Sequence, residues 1–576
     1  MKRSTWKKVV SLGLVGIMAA GMLAGCGSGG GDKKEAGGDG GSNGGGGGVT
    51  LTEPGTYPIV EGGELELSMF TMSMPNVEDF ATNDFTKFME EKTGIKMSFF
   101  TGGRDDWEDK LNMILQSDDY PDLIFGVSPN IAKYGVKEGI FIPLDEYLTE
   151  DNVPNYLKLM ADNDFDLNLM KETDGKTYSL ANINDCYHCS YGRKMWINKY
   201  YLDQMNCEVP TTTEEFKEVC KKFLEMKPDG VAVAGADVGW YTRMQDWLMG
   251  SFTFFPAKSS TFIARDAVAL NTETGKLECV ATTDEYKEGL KYIKELYDMG
   301  AIYDGDFTQT GEQMKTLVNQ ADEPVLCFTA GTISDAIDST ANPELYKHYE
   351  ALAPLEGPDG TRIAWYTAYQ AIGSGAVCIT DKCENVEAAL RWVDFFYSET
   401  GDLCSQYGAD EGTDWVLDPE GKVGLNGEPA KYEVLNVYSP DTQNHDWQDV
   451  GIRVAPEGYR MGQAVDADVD PYDPNGLEKL LYEASKNLYE PYGQNSKYTD
   501  LPELKVTDEE STEVSTIAVE IEKLIAEDGV AFMTGKKDID KEWDNYLTSL
   551  ENAGLTKYLE VYQTAYDRFA GSTTAE

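Results

Sequence analysis

Between residues 65 and 125 the hydrophobic period of the chain switches repeatedly between strand and helix, and that alternation constrains the fold most. Leu65, Leu67 and Met69 alternate with polar residues, as on a half-buried strand. Asn83 or Asp84 can cap a helix that sets Phe85, Phe88 and Met89 on one face, and Gly94 stops it. Ile95, Met97 and Phe99 alternate again, and Trp107, Leu111, Ile114 and Leu115 form a second helical stripe. After Pro121 the run Leu123-Ile124-Phe125 reads as a buried strand. The order β-α-β-α-β implies a mostly parallel sheet with helices on both faces, hence an α/β fold. Ligands of such sheets bind beyond the carboxyl ends of the strands. Here those ends lead into loops 71–79 and 127–130, which offer Asn76 and Ser128 as contacts.

The N-terminus has a different character. Lys2, Arg3, Lys7 and Lys8 precede an apolar run, Val9 to Leu23, that ends in Leu23-Ala24-Gly25-Cys26. At about 15 residues the run is shorter than the roughly 20 of a stable span and fits a signal peptide. Small residues before a cysteine, with glycine and serine after it, meet the requirement for lipid transfer. Residues 1–25 are therefore expected to be removed and Cys26 lipidated, with two or more acyl chains as a membrane anchor. From Gly27 to Gly48, 13 of 22 residues are glycine. Such a coil spans roughly 25 Å on average, so residues 26–63 read as lipidated cysteine and tether.

Beyond the tether the chain is long enough for two or three domains, and 41% hydrophobic residues can fill their cores. Asp and Glu number 100 against 49 Lys and Arg, a formal charge of −51 that disfavours nucleic acid and anionic lipid as partners. There is no G-x-x-x-x-G-K-[ST], no H-E-x-x-H and, in the folded part, no G-x-S-x-G, so neither a cofactor nor catalysis is expected. A glycoside hydrolase, which needs only two carboxylates, is the enzymatic alternative; a peptide-binding or sensor lipoprotein is the other.

Cys186-Tyr187-His188-Cys189 looks like half of a redox or zinc site. With no second C-x-x-C, and only His348 and His445 besides His188, zinc would be poorly supplied, so free or buried thiols are expected ahead of a local disulfide and no metal is assigned. The acidic run from Asp466 to Gly476 begins like a calcium loop. However, Pro471 stands where the loop needs glycine and Leu477 where it needs a bidentate Glu, so a rigid surface turn is expected.

Several longer strings carry a family resemblance. Tyr120-Pro121-Asp122-Leu123-Ile124-Phe125 is followed by Glu138-Gly139-Ile140-Phe141-Ile142-Pro143-Leu144-Asp145. Further along come Lys194-Met195-Trp196-Ile197-Asn198-Lys199 and Tyr407-Gly408-Ala409-Asp410-Glu411-Gly412-Thr413-Asp414-Trp415. In this order they resemble the extracellular solute-binding proteins of carbohydrate ABC importers, in particular the large lipoproteins of Gram-positive bacteria. That resemblance implies two α/β lobes of the periplasmic-binding-protein type II, joined by a hinge around a ligand cleft. It also implies a monomer that captures an oligosaccharide or other small solute and delivers it to ABC permease subunits at the outer face of the cell membrane.

On this basis residues 64–185 are expected to form lobe I and 186–365 lobe II. Residues 366–450 would be the hinge return and more of lobe I, and 451–576 a C-terminal helical part mainly of lobe II. Crossings are expected near 182–190 and 366–375. Sugar rings pack C–H faces on aromatic rings and direct hydroxyls at planar polar groups. The expected ligand contacts are therefore Asn182, Asp185, Asp237, Trp240, Thr329, Trp365, Tyr366, Glu411 and Trp415, beside Asn76 and Ser128.

Overall fold

The computed structural model describes residues 49–573 apart from 62–64, 104–105, 118, 237–242, 257–266, 340, 368–370, 437–441, 449, 467, 474–475 and 494. The predicted alternation is present as β1 (Leu65–Ser73), α1 (Asp84–Thr93), β2 (Ile95–Gly103), α2 (Trp107–Leu115) and β3 (Leu123–Phe125). Asn83 caps α1 by accepting from the Phe85 N–H, and Gly94 closes it at φ 72°. A side chain there would cost roughly 1–2 kcal/mol. The chain continues through β4 (Leu180–Asn184), β5 (Met195–Asn198), β6 (Val231–Ala234), β7 (Val268–Asn271) and β8 (Lys276–Cys279). Then follow β9 (Val325–Thr329), β10 (Tyr349–Leu352) and β11 (Ile372–Ile379).

Two α/β lobes result, each built on its own sheet. The first has the order Val454–Ala455, β4, β11, β3, β1, β2, with β11 alone antiparallel to its neighbours. The second has the order β10, β5, β9, β6, with β5 antiparallel to both neighbours. A smaller sheet of Tyr498–Thr499, β7 and β8 belongs to the second lobe's core, as do Trp543, Tyr546 and Leu550 of helix Ile539–Ala553. Phe85, Trp392, Phe396 and Trp447 centre the core of the first lobe.

Strand direction fixes where the lobes join. The first crossing leaves the carboxyl end of β4 and enters β5 at its amino end, which lies at the same edge as the carboxyl ends of β6, β9 and β10. The second runs from the carboxyl end of β10 to the amino end of β11, at the carboxyl edge of the first sheet. Both crossings thus link the edges at which α/β sheets bind ligands.

A third crossing was not foreseen. Val454–Ala455 pairs parallel with β4, so the stretch 451–576 begins in the first lobe before Tyr489 ties it to the second. The Tyr489 hydroxyl accepts from the Met195 N–H (3.1 Å) and donates to the Leu352 carbonyl (2.6 Å), gripping β5 and β10 together. Further on, Lys505 Nζ reaches Ser374 Oγ (2.7 Å), Glu503 (2.7 Å) and the buried Glu172 (3.1 Å).

Candidate site where the crossings meet

Where β4 ends, Asp185 opens the first crossing and the short helix Tyr187–Ser190 follows. Lys194, fully buried, holds this turn by donating to the carbonyls of His188 (2.9 Å) and Tyr191 (2.7 Å). Burial pulls its ammonium down to about 7 against the opposing charge of Asp335. Cys186 and Cys189, Cα atoms 5.2 Å apart, form a disulfide, which corrects the expectation of free thiols. The physical reason is the tight turn, which brings the two Cα atoms within bridging reach.

The turn presents tyrosines. Tyr187 packs on Tyr191 with centroids 5.8 Å apart, and Tyr191 on Tyr366 at 5.1 Å. Tyr187 also packs on Tyr482 at 5.4 Å. Tyr187 and Tyr191 come from the first crossing, Tyr366 from the second, and Tyr482 from helix Leu477–Ala484, which follows the third. Tyr187, Tyr366 and Tyr482 are half-buried and Tyr191 is buried.

Carboxylates lie near enough to the rings to act on them by charge. The Tyr366 hydroxyl is pushed up by burial and then by the charges of Asp185, Glu457 and Glu490. Asp185 is raised by burial, with Arg460 opposing, and Glu457 by burial and by Asp185. Half-buried rings bordered by acceptors suit a ligand that is uncharged and rich in hydroxyls, because its C–H faces cover the rings while its O–H groups donate to the acids.

Of the contacts expected from sequence, Asp185 and Tyr366 meet here. Trp365 is their neighbour but turns inward and is only 8% exposed. Asn182 accepts from the Arg453 N–H (2.7 Å), a stitch between β4 and the strand beside it. Asn76 is buried and donates to Gln448, Thr329 is buried at the end of β9, and exposed Ser128 reaches the Ser374 carbonyl (3.4 Å). Glu411 is exposed, whereas Trp415 lies in the first lobe's core and donates from Nε1 to the Gly408 carbonyl (2.9 Å). Asp237, Trp240 and Cys26 lie outside the described residues. Sequence reasoning missed Tyr187, Tyr191, Tyr482, Glu457 and Glu490. A spacing of four between Tyr187 and Tyr191 was the available signal, but Tyr482 sits in a helix whose other large residues read as core. The run from Asp466 turns tightly, with the Tyr472 N–H on Asp470 Oδ1 (3.0 Å) and the Asp473 N–H on the Asp470 carbonyl (2.8 Å).

Residues 75–402 match a family model described as bacterial extracellular solute-binding protein. The fructooligosaccharide ABC transporter substrate-binding protein FusA of Streptococcus pneumoniae serotype 4 is 24% identical over 525 residues, 89% of this chain and 92% of its own. Lipoprotein LipO of Bacillus subtilis strain 168 is 25% identical over 329 residues, 56% of this chain and 61% of its own. The structure of FusA in complex with kestose superimposes with a TM-score of 0.70 at 21% identity, covering 88% of this chain and all of FusA (100%). An extracellular solute-binding protein from Bifidobacterium longum subsp. infantis gives 0.70 at 20%, covering 90% of this chain and 99% of its own. The two superimposed structures share this chain's fold, and the segment matched by the family model runs through both lobes and the first two crossings. The chain belongs to the bacterial extracellular solute-binding protein family.

Proposed function

We propose that this protein captures an oligosaccharide at the tyrosine and carboxylate cluster between its lobes and hands it to the permease subunits of an ABC importer. It does so as a monomer and without turning the sugar over, held at the outer face of the cell membrane by lipid on Cys26. The observation that carries this reading is the convergence of Tyr187, Tyr191, Tyr366 and Tyr482 with Asp185, Glu457 and Glu490 from all three crossings. A solute seated there touches segments that belong to both lobes, so its binding energy favours the closed arrangement. The similarity to FusA, whose name specifies fructooligosaccharides, supports a sugar ligand. Asp237 and Trp240 are kept as further sugar contacts on their sequence alone, an acid and an aromatic ring in a Gly-interrupted run, and the lipid anchor is read from Leu23-Ala24-Gly25-Cys26.

The test is a thermal-stability screen against a glycan panel that begins with kestose. A ligand at 100 times its dissociation constant adds about 2.7 kcal/mol to stability. A panel that leaves the melting temperature unmoved rejects the sugar reading. Cleavage of a labelled oligosaccharide at catalytic rates establishes the hydrolase instead.

A further inference from the structure

The turn that carries Tyr187 also carries a second set of donor atoms, which solute binding leaves unused. Among the described residues, the group of His, Cys, Asp or Glu side chains set closely enough to hold a metal is Cys186, His188 and Cys189, whose ligand atoms lie within 4.8 Å of one another. Cys186 is buried, while His188 and Cys189 are half-buried and reachable from solvent. Glu478, remote in sequence, sets Oε2 3.6 Å from His188 Nδ1 and lies 4.0 Å from Arg460. The turn does not depend on the S–S bond alone, since Lys194 clamps the His188 and Tyr191 carbonyls.

We propose that reduction of the Cys186–Cys189 disulfide opens a chelating site for a thiophilic divalent cation of the zinc class, with both thiolates and the His188 imidazole as ligands and Glu478 orienting the imidazole. Two thiolates and an imidazole form a donor set that prefers zinc or cobalt to calcium or magnesium. Bonds of about 2.3 Å to sulfur and 2.0–2.1 Å to nitrogen require donors roughly 3.5 Å apart, which side-chain rotation from the observed spacing supplies. A carboxylate against a ligating imidazole fixes the ring, and its loss costs about 10–100-fold in metal affinity. His188 and Cys189 are each partly exposed, so water can take the fourth position. Sequence alone does not show the carboxylate beside His188, because Glu478 reaches it only in the fold.

The chemistry balances with a dithiol as reductant. Thiol–disulfide exchange breaks the Cys186–Cys189 bond, the two electrons pass to its sulfurs, and the dithiol leaves as its own disulfide. Binding the cation then releases the two thiol protons.

The experiment reduces the folded protein with dithiothreitol, removes the reductant anaerobically and titrates with Co2+. The reduced protein is expected to take up one equivalent with a thiolate-to-cobalt charge-transfer band and tetrahedral visible bands, both displaced by Zn2+. The oxidised protein shows neither. His188→Ala and Glu478→Gln keep both cysteines and the disulfide, and each lowers Co2+ affinity at least about 10-fold. The proposal is overturned by absence of the charge-transfer band in the reduced protein, by an equal band in the Cys186→Ser/Cys189→Ser double variant, or by unaltered affinity in both single variants. Loss of the circular-dichroism signature on reduction overturns it as well, because the site needs the folded turn.

Discussion

Arg193 lies over the ring of Trp365, its guanidinium carbon 4.5 Å from the ring centroid, so the first crossing rests on the second. Its Nη1 also donates to the Phe255 carbonyl (2.6 Å). Stacking and a fixed fork of donors are properties of a planar guanidinium that an ammonium lacks. Arg193→Lys therefore keeps the charge and is expected to destabilise the protein by about 1–3 kcal/mol. Denaturant unfolding measures this, and an unchanged midpoint would show that charge alone matters at this joint.

Two buried carboxylates make stability depend on pH. Asp394 accepts from the Tyr156 N–H (2.9 Å) and from Asn155 Nδ2 (2.8 Å), yet burial raises it to about 6. Asp500 is likewise raised by burial to about 6, with the Arg193 charge and a Thr367 hydrogen bond opposing. Both groups hold a proton more tightly folded than unfolded. Their contribution is full below the unfolded value near 4 and is lost as pH rises through about 6. The melting temperature is expected to fall between about pH 4 and pH 6 and to level off above that, with each group worth on the order of 1–3 kcal/mol. Asp394→Asn should flatten that fall; an identical slope in the variant would remove Asp394 from the account.

Tyr366→Ala tests the ring cluster. If the half-buried ring stacks on a sugar, its loss costs about 1–3 kcal/mol of binding, roughly 5- to 150-fold in affinity, while the unliganded unfolding midpoint stays near that of the wild type. Trp240→Ala, measured in the same way, asks whether that ring also contacts the sugar. A sharply lowered midpoint with unchanged affinity would make either residue a core residue.

Cys26→Ser tests anchoring. The stretch from Gly27 to Gly48 has no apolar segment, so the variant is expected in the soluble fraction after a high-salt wash. Retention with the membrane would require another attachment.

Local signals account for what the sequence revealed. The first five elements were legible because each carries its own period and α1 its own cap and stop at Asn83 and Gly94. The helix Ile539–Ala553 was legible from Trp543, Tyr546, Leu547 and Leu550, with Gly554 ending it at φ 105°. The third crossing was not, because Val454–Ala455 is only two residues long and becomes a strand solely by pairing with β4. The candidate site was half legible for a similar reason. Asp185 and Tyr366 flank crossings that change the local pattern, whereas Tyr482 and Glu457 become neighbours of the site only after the chain has returned to the first sheet. Trp415 carries the same acidic and aromatic surroundings in sequence as a sugar contact, and its burial follows from packing that no local pattern encodes.

The third crossing bears on how the lobes move. Two bodies joined by two strands can both fold together and swivel about the line between the strands. A third tie, anchored on β5 and β10 through the Tyr489 hydroxyl, is expected to resist that swivel. On that expectation closure would run like a door on its frame rather than a ball in a socket, carrying the tyrosine of each tie with it.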